Sequence, residues 1–135
     1  MSDPVLLDAS AALAYVKREP GGERVRASLP MAAINTVNLA EVVGRIERQG
    51  SDGVRLARKL RGLGVEVEEF TFEDALVAGQ LEPGSRSRGL SLADRSCLAV
   101  AARTGRLVLT TDRGLAELAP ESVRVELIRW PSAMR

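Results

Sequence analysis

Short apolar segments alternate with helical segments along the chain, and this alternation constrains the fold more than any other feature. Val5–Leu7, Ala32–Ile34 and Leu107–Leu109 are apolar runs, as expected of strands that are buried on both faces. The segments between them carry helix formers, caps and glycine stops. Strands that alternate with helices form a parallel sheet with right-handed crossovers. We therefore predict an α/β fold.

The remaining elements follow from local patterns. Val65–Glu68 alternates apolar and acidic residues, which predicts a half-exposed strand at a sheet edge. Val123–Leu127 is the last predicted strand. The predicted helices are Ser10–Arg18, Glu23–Leu29, Val37–Arg48, Val54–Leu63, Phe72–Leu81, Ser91–Thr104 and Arg113–Leu118, and Glu82–Ser85 is predicted as a loop.

Composition limits the chemistry that is available. The 135 residues predict one domain over residues 1–135. With 19 basic and 18 acidic residues, the net charge of +1 excludes a strongly basic nucleic-acid coat. The sequence has no His, which excludes a Ser-His-Asp triad, a His-ligated zinc site and a His general base. A single cysteine, Cys97, excludes an internal disulfide. Acid–base or metal chemistry therefore falls to Asp and Glu.

No apolar run approaches the length of a membrane span, so we expect no membrane segment. Asp3 and Asp8 interrupt the N-terminal region where a signal peptide would be uncharged. One unpaired cysteine also suits a reducing compartment. We expect a cytoplasmic protein.

Four acidic residues occupy informative positions. Asp8 and Asp112 follow predicted strands, and ligands bind at the carboxyl ends of strands in parallel sheets. Asp94 lies in the first turn of a helix and Glu41 one turn into another. Each also has a structural alternative: N-caps for Asp8 and Asp112, a capping box of Ser91 with Asp94, and an ion pair of Glu41 with the residue four positions later, Arg45.

Converging carboxylates raise one another's pKa, and a hard cation relieves that conflict. Oxygen ligands favour Mg²⁺ or Mn²⁺ over zinc. Such a cation activates water and stabilises charge on phosphate, so the set favours metal-assisted phosphodiester hydrolysis. Acidic clusters also serve phosphatases and phospho-acceptor domains, although the sequence has no GxxxxGK[ST] loop.

Four segments resemble the PIN-domain nucleases, and their order and spacing resemble the VapC-type toxins of bacterial toxin–antitoxin pairs. The segments are Val5–Ala11 (VLLDASA), Asn38–Val42 (NLAEV), Gly89–Ala99 (GLSLADRSCLA) and Leu109–Arg113 (LTTDR). This resemblance implies a three-layer α/β/α sandwich with a central, mainly parallel sheet. It also implies an endoribonuclease that depends on Mg²⁺ or Mn²⁺.

By this resemblance, Asp8, Glu41, Asp94 and Asp112 match the acidic quartet of the family. Asp8 and Asp94 would bind the metal, Asp112 would bind it directly or through water, and Glu41 would orient water. Two further residues, Ser10 and Thr110, match hydroxyl positions that support the acids, although turn or cap roles explain them equally well. Arg113 and the two residues after it offer no fifth acid.

The sequence also offers candidate surfaces for RNA and for partner proteins. Arg86, Arg88 and Arg95 are candidate RNA contacts, with ordinary surface charge as the alternative. The basic helix face Arg55–Arg61 would suit RNA or an acidic partner segment. The resemblance implies a cognate antitoxin, for which the helix pair Val37–Leu63 is a candidate docking place, and a homodimer or a larger toxin–antitoxin assembly. A PIN-like module that binds RNA or protein without cutting is the alternative function.

Overall fold

Five parallel strands form the centre of the protein. The computed structural model describes residues 3–85 and 89–129. Its strands are β1 (Val5–Leu7), β2 (Ala32–Asn35), β3 (Glu66–Glu68), β4 (Leu107–Thr110) and β5 (Val125–Leu127). Its α-helices are α1 (Ala9–Val16), α2 (Gly22–Ser28), α3 (Thr36–Arg48), α4 (Gly53–Gly62), α5 (Phe72–Gln80), α6 (Glu82–Ser85), α7 (Leu92–Thr104) and α8 (Arg113–Leu118), with a 3₁₀ turn at Leu29–Met31.

The strand order is β3-β2-β1-β4-β5, and every neighbouring pair is parallel. Strand β1 is central, with Leu6 paired to Ala33 of β2 and to Val108 of β4. The prediction of a parallel α/β fold is confirmed. Strand β3 lies at an edge of the sheet, as the alternating Val65–Glu68 pattern predicts. Because the strands are parallel, their carboxyl ends meet along one edge.

Helices cover both faces of the sheet. Val5 and Leu7 of β1 pack in one core with residues of α1, α2, α3 and α4. Leu6, which faces the other way, packs with α7 and with Leu115 of α8. These two cores confirm the three-layer α/β/α sandwich. None of the helices in the described part of the chain is long and apolar enough to span a bilayer.

Most helices and strands begin and end within two residues of the predicted positions, and two of the differences have a clear physical reason. Glu82–Ser85, predicted as a loop, forms a short helix, which Pro83 permits because proline is tolerated in the first turn. The last strand begins at Val125 rather than Val123, since the N–H of Val123 bonds to the carbonyl of Pro120 in a turn.

We expect the turn between α1 and α2 to tolerate only glycine at position 21. Gly21 has a φ of +97°, and an added Cβ would lie 1.8 Å from the carbonyl oxygen of Ile128. Gly50 has a similar φ of +87° but nothing within 4 Å of an added Cβ. Urea unfolding should show that Gly50→Ala costs roughly 1–2 kcal/mol, the left-handed backbone penalty alone. Gly21→Ala should cost clearly more, and equal losses would contradict the close contact with Ile128.

Candidate active site

Helix caps place the acidic residues at the carboxyl edge of the sheet. Asp8 follows β1 and caps α1, and Asp112 follows β4 and caps α8. Between them in the chain, Asn35 ends β2 and caps α3. An N-cap side chain turns back to accept the first N–H groups of its helix. The capping roles that the sequence suggested for Asp8 and Asp112 are therefore confirmed, and they fix each side chain at the strand end.

Asp8 is the most buried acid of the site, with 4% of its surface exposed. Its Oδ1 accepts hydrogen bonds from Ser10 Oγ at 2.6 Å and from the N–H of Ala11 at 2.8 Å. Its Oδ2 accepts one from Thr110 Oγ1 at 2.5 Å. The pKa of Asp8 is raised to about 6, because desolvation by burial outweighs these hydrogen bonds and the charge of Asp94 adds to the rise.

The hydroxyls of Ser10 and Thr110 join the ends of β1 and β4. They lie 3.3 Å apart. Ser10 Oγ accepts the N–H of Thr111 at 3.0 Å, and Thr110 Oγ1 accepts the N–H of Asp112 at 3.0 Å. Both residues thus hold Asp8 and shape the turn after β4, so the two roles considered from the sequence occur together.

Asp94 forms the predicted capping box. Its N–H donates to Ser91 Oγ at 3.1 Å, and its Oδ2 accepts the N–H of Ser91 at 2.9 Å. The hydrogen bonds found among the described residues leave Oδ1 of Asp94 without a donor. Asp94 therefore keeps one carboxylate oxygen for a further ligand while it caps α7.

Glu41 is exposed on α3, and its partner is Asn38 rather than Arg45. Asn38 Nδ2 donates to Glu41 Oε1 at 3.1 Å and to the carbonyl of Ala93 at 3.2 Å. Within residues 3–85 and 89–129, Glu41 and Arg45 form no ion pair, so the surface-pair alternative was wrong. Helical spacing alone does not show which of two nearby polar groups a flexible Glu contacts.

The charges of three of the four acids act on one buried thiol. Burial raises the pKa of Cys97, and the charges of Asp8, Asp94 and Glu41 raise it further. These three acids, which we name the acidic cluster, therefore lie close enough to share an electrostatic environment. Asp112 is exposed and joins them through its N–H on Thr110, while its Oδ1 accepts the N–H of Gly114 at 2.8 Å.

The donor atoms of the acidic cluster suit a hard divalent cation, since carboxylate oxygens are its preferred ligands. Within the described ranges, however, no three Asp, Glu or Cys side chains are arranged to hold one metal ion together. Three hydrogen bonds fix the direction of the Asp8 carboxylate. Within the described part of the chain, Asp94, Glu41 and Asp112 each keep one carboxylate oxygen without a hydrogen-bond donor, as a metal ligand requires.

Of the three candidate RNA contacts, the structure describes Arg95. Arg86 and Arg88 lie outside the described residues. Arg95 Nη1 donates to the carbonyl of Ala78 in α5 at 3.0 Å, and its Nε is buried without a partner within the described part of the chain. The side chain of Arg95 is thus held between α5 and α7, which its position after Asp94 did not indicate.

Sequence reasoning missed two asparagines of this edge, Asn35 and Asn38, which are fully buried. The available signal was an Asn directly after a predicted strand, which is a common N-cap. Nothing in the spacing shows that the second Asn contacts Glu41.

Comparison with protein families gives a match over most of the chain. The family model described as the PIN domain matches residues 5–120. The comparison with curated proteins gives no match.

Solved structures with the same fold include several toxin–antitoxin proteins. DNA-bound VapBC from Salmonella typhimurium is 19% identical with a TM-score of 0.71, covering 93% of this chain and 98% of that one. VapC20 from Mycobacterium tuberculosis, a toxin that cleaves the sarcin–ricin loop, is 21% identical with a TM-score of 0.68 over 89% and 98%. FitAcB from Neisseria gonorrhoeae is 22% identical with a TM-score of 0.65 over 90% and 95%. At these identities the likeness shows the fold.

Asp8 should make the metal-free protein less stable as the pH rises. Its folded-state pKa of about 6 lies above the ordinary Asp value of 3.8. The contribution of Asp8 is thus fully present below about pH 4 and lost as the pH rises through about 6, up to roughly 3 kcal/mol. We expect Asp8→Asn, which carries no charge, to gain free energy of unfolding relative to the wild type over this range.

Urea unfolding at several pH values in EDTA measures this difference. Thr110→Val removes a hydrogen bond that lowers the pKa of Asp8, so it should move the transition to higher pH. A difference between wild type and Asp8→Asn that does not change with pH would contradict the buried, charged Asp8.

Proposed function

The chain belongs to the PIN domain family, and on this premise we propose that it is a divalent-metal-dependent endoribonuclease, the toxin of a toxin–antitoxin pair. The observation that carries the proposal is the acidic cluster at the carboxyl edge of the sheet, where parallel α/β folds bind ligands. The same fold in the VapBC and FitAcB structures supports the assignment to this class.

Asp8 and Asp94 would hold the cation, Asp112 would contact it directly or through water, and Glu41 would orient water. When bound, Mg²⁺ or Mn²⁺ stabilises negative charge on a phosphate oxygen and lowers the pKa of a bound water molecule. Ser10 and Thr110 fix the direction of the Asp8 carboxylate. The positive charge of a bound cation would also offset the repulsion between these carboxylates and an RNA backbone.

Cleavage by in-line attack of water would leave a 5′-phosphate and a 3′-hydroxyl. The route through a 2′,3′-cyclic phosphate commonly relies on His as acid and base, and the chain has none. Arg86, Arg88 and Arg95 remain proposed RNA contacts. Since one proton of Arg95 Nη1 already binds the carbonyl of Ala78, an RNA contact by Arg95 would use its Nη2 or the second proton of Nη1.

A groove between α1, α2 and α4 is a suitable docking place for the antitoxin. Its volume is about 780 Å³. Val16, Leu56 and Leu63 give it an apolar lining. Three basic residues and two acidic residues also line it, so basic side chains outnumber acidic ones by one: Arg18, Arg26, Lys59, Glu19 and Glu23. An amphipathic segment with acidic flanks fits such a groove. The groove uses α4 of the predicted Val37–Leu63 pair, but α1 and α2 take the place of α3.

A homodimer, alone or within a larger assembly with the antitoxin, is also proposed. Phe72, Leu76 and Val77 of α5 are exposed apolar side chains, and Leu92 at the start of α7 is another. A second copy that covers such a surface would remove it from water. The cytoplasm, where RNA is available, is the proposed place of action.

The alternative function is a module that binds RNA or protein without cutting. Such a module has no need for a charged, desolvated Asp8, whereas a metal site does. A phosphatase on a similar sheet would hydrolyse free mononucleotides, which a nuclease would leave intact.

RNA cleavage by the purified, antitoxin-free protein should require Mg²⁺ or Mn²⁺ and should stop in EDTA. Asp94→Asn should lower kcat by more than about a hundredfold, since outer-shell changes already cost about 10–100-fold. Sequencing of a cleaved structured-RNA pool would give the cut site and the end groups.

Asp52→Asn is a control, because Asp52 is also an aspartate that caps the start of a helix: it is the N-cap of α4, and its Oδ1 accepts the N–H of Arg55. Its activity should stay within about twofold of the wild type. Cleavage that survives both EDTA and Asp94→Asn would refute the metal site, and tight RNA binding with intact ends would favour the binding module.

The antitoxin groove can be tested with two exposed apolar residues of the α4 region. Leu63 lines the groove and Val54 does not. Leu63→Asp should weaken binding of a neutralising antitoxin by more than about tenfold, as expected for an apolar anchor, whereas Val54→Asp should leave it nearly unchanged. Titration calorimetry measures both, and equal losses would place the antitoxin elsewhere.

A further inference from the structure

Two buried asparagines lie where β2 passes into α3. Asn35 is 0% exposed and Asn38 is 1% exposed. A buried amide that lacks hydrogen-bond partners costs roughly 1–3 kcal/mol in proteins. The partners of these two amides therefore show what each one does.

Asn35 accounts for the start of the helix. Its Oδ1 accepts the N–H of Asn38 at 2.9 Å, and its Nδ2 donates to Oδ1 of Asn38 at 2.9 Å. The cap uses only the backbone of Asn38. The second bond fixes the Asn38 amide with its oxygen toward Asn35 and its NH₂ group turned away from the cap.

The NH₂ group of Asn38 links two helices that carry acids. It donates to Oε1 of Glu41 in the next turn of α3 and to the carbonyl of Ala93 in α7. Ala93 directly precedes Asp94. Both amide protons are in use, so Asn38 is anchored on β2 and α7 and directs one proton at the carboxylate of Glu41.

Packing alone does not require an amide here. An aliphatic side chain would fill the space between α3 and α7 without needing three polar partners. The one partner of Asn38 that is free to rotate is Glu41, whose side chain is exposed. A rigid donor restricts the conformations of the Glu41 carboxylate before any ligand binds. Glu41 therefore loses less conformational entropy when a ligand binds.

We infer that Asn38 is a positioning residue that holds Glu41 at a fixed place relative to Asp94. The effect of Asn38 on catalysis rests on the proposed function. The fixed position of Glu41 does not depend on that function. Among the described residues no donor reaches the other oxygen of Glu41, Oε2, so this oxygen can bind a water or a ligand.

A double-mutant cycle of Asn38→Ala and Glu41→Ala tests the catalytic part. Asn38→Ala alone should lower kcat for RNA cleavage about 10–100-fold, the range for residues that orient ligands, with KM nearly unchanged. In the Glu41→Ala background the same change should cost less than about threefold, because the two residues act as a pair. The same loss in both backgrounds would overturn the inference.

Two further variants separate an effect on catalysis from an effect on folding. Asn38→Asp keeps the shape but cannot donate, so it should lose kcat at least as much as Asn38→Ala. Ser28→Ala truncates a polar residue of α2 that is also 1% exposed. It should lower the melting temperature and leave kcat unchanged. If the Asn38 variants lose melting temperature but keep kcat, Asn38 is only structural and the inference fails.

NMR of the metal-free protein gives a readout that needs no activity. Glu41→Ala should shift the side-chain NH₂ signals of Asn38 and speed their exchange with water, whereas Glu47→Ala, on the same helix, should not. Unchanged Asn38 signals in Glu41→Ala would overturn the hold on Glu41. If the wild type neither binds Mn²⁺ nor cleaves RNA, the proposed function fails, and this comparison still decides the geometric inference.

Discussion

The burial of the Asp8 carboxylate at the end of the central strand is the constraint on which the rest of the site depends. A charged group with so little exposure is stable only when it is fully hydrogen-bonded or paired. Ser10, Ala11 and Thr110 supply those hydrogen bonds. The bonds from Ser10 and Ala11 form within the turn after β1, whereas the bond from Thr110 needs β1 and β4 to be neighbours in parallel register. One of the three bonds that hold Asp8 therefore depends on the order of the strands.

The acids converge because capping and chemistry use the same positions. In a parallel sheet every strand delivers the chain to the same edge, and the helix that follows needs an acceptor at its first turn. Asp8 and Asp112 meet that need, and Asp94 meets it through its capping box. The capping hydrogen bonds that stabilise the helices thus also fix the directions of the carboxylates. The burial of Asp8 near the charge of Asp94 has the opposite effect on stability, because it disfavours the charged form of Asp8 and raises its pKa.

The sequence predicts the parts of this structure that depend on local patterns. Alternation predicts the parallel sheet, the Val65–Glu68 pattern predicts an edge strand, and the spacing of Ser91 and Asp94 predicts their capping box. The partners of Glu41 and Arg95 could not be predicted in this way. Both side chains are long, and Arg95 takes a partner on another helix, Ala78, whose distance in the sequence carries no signal.

Asn38 shows why such contacts escape a reading by residue type. Asp and Glu indicate a candidate charged site by their residue type, whereas an Asn in a helix is usually interpreted as a weak helix former. Its value here comes from its two donors, which reach a carboxylate and a backbone carbonyl at once. A carboxylate at the same place would repel Glu41, and a hydroxyl has only one proton to donate. Only a side-chain amide of this length can therefore hold Glu41 while it stays anchored on both Asn35 and α7.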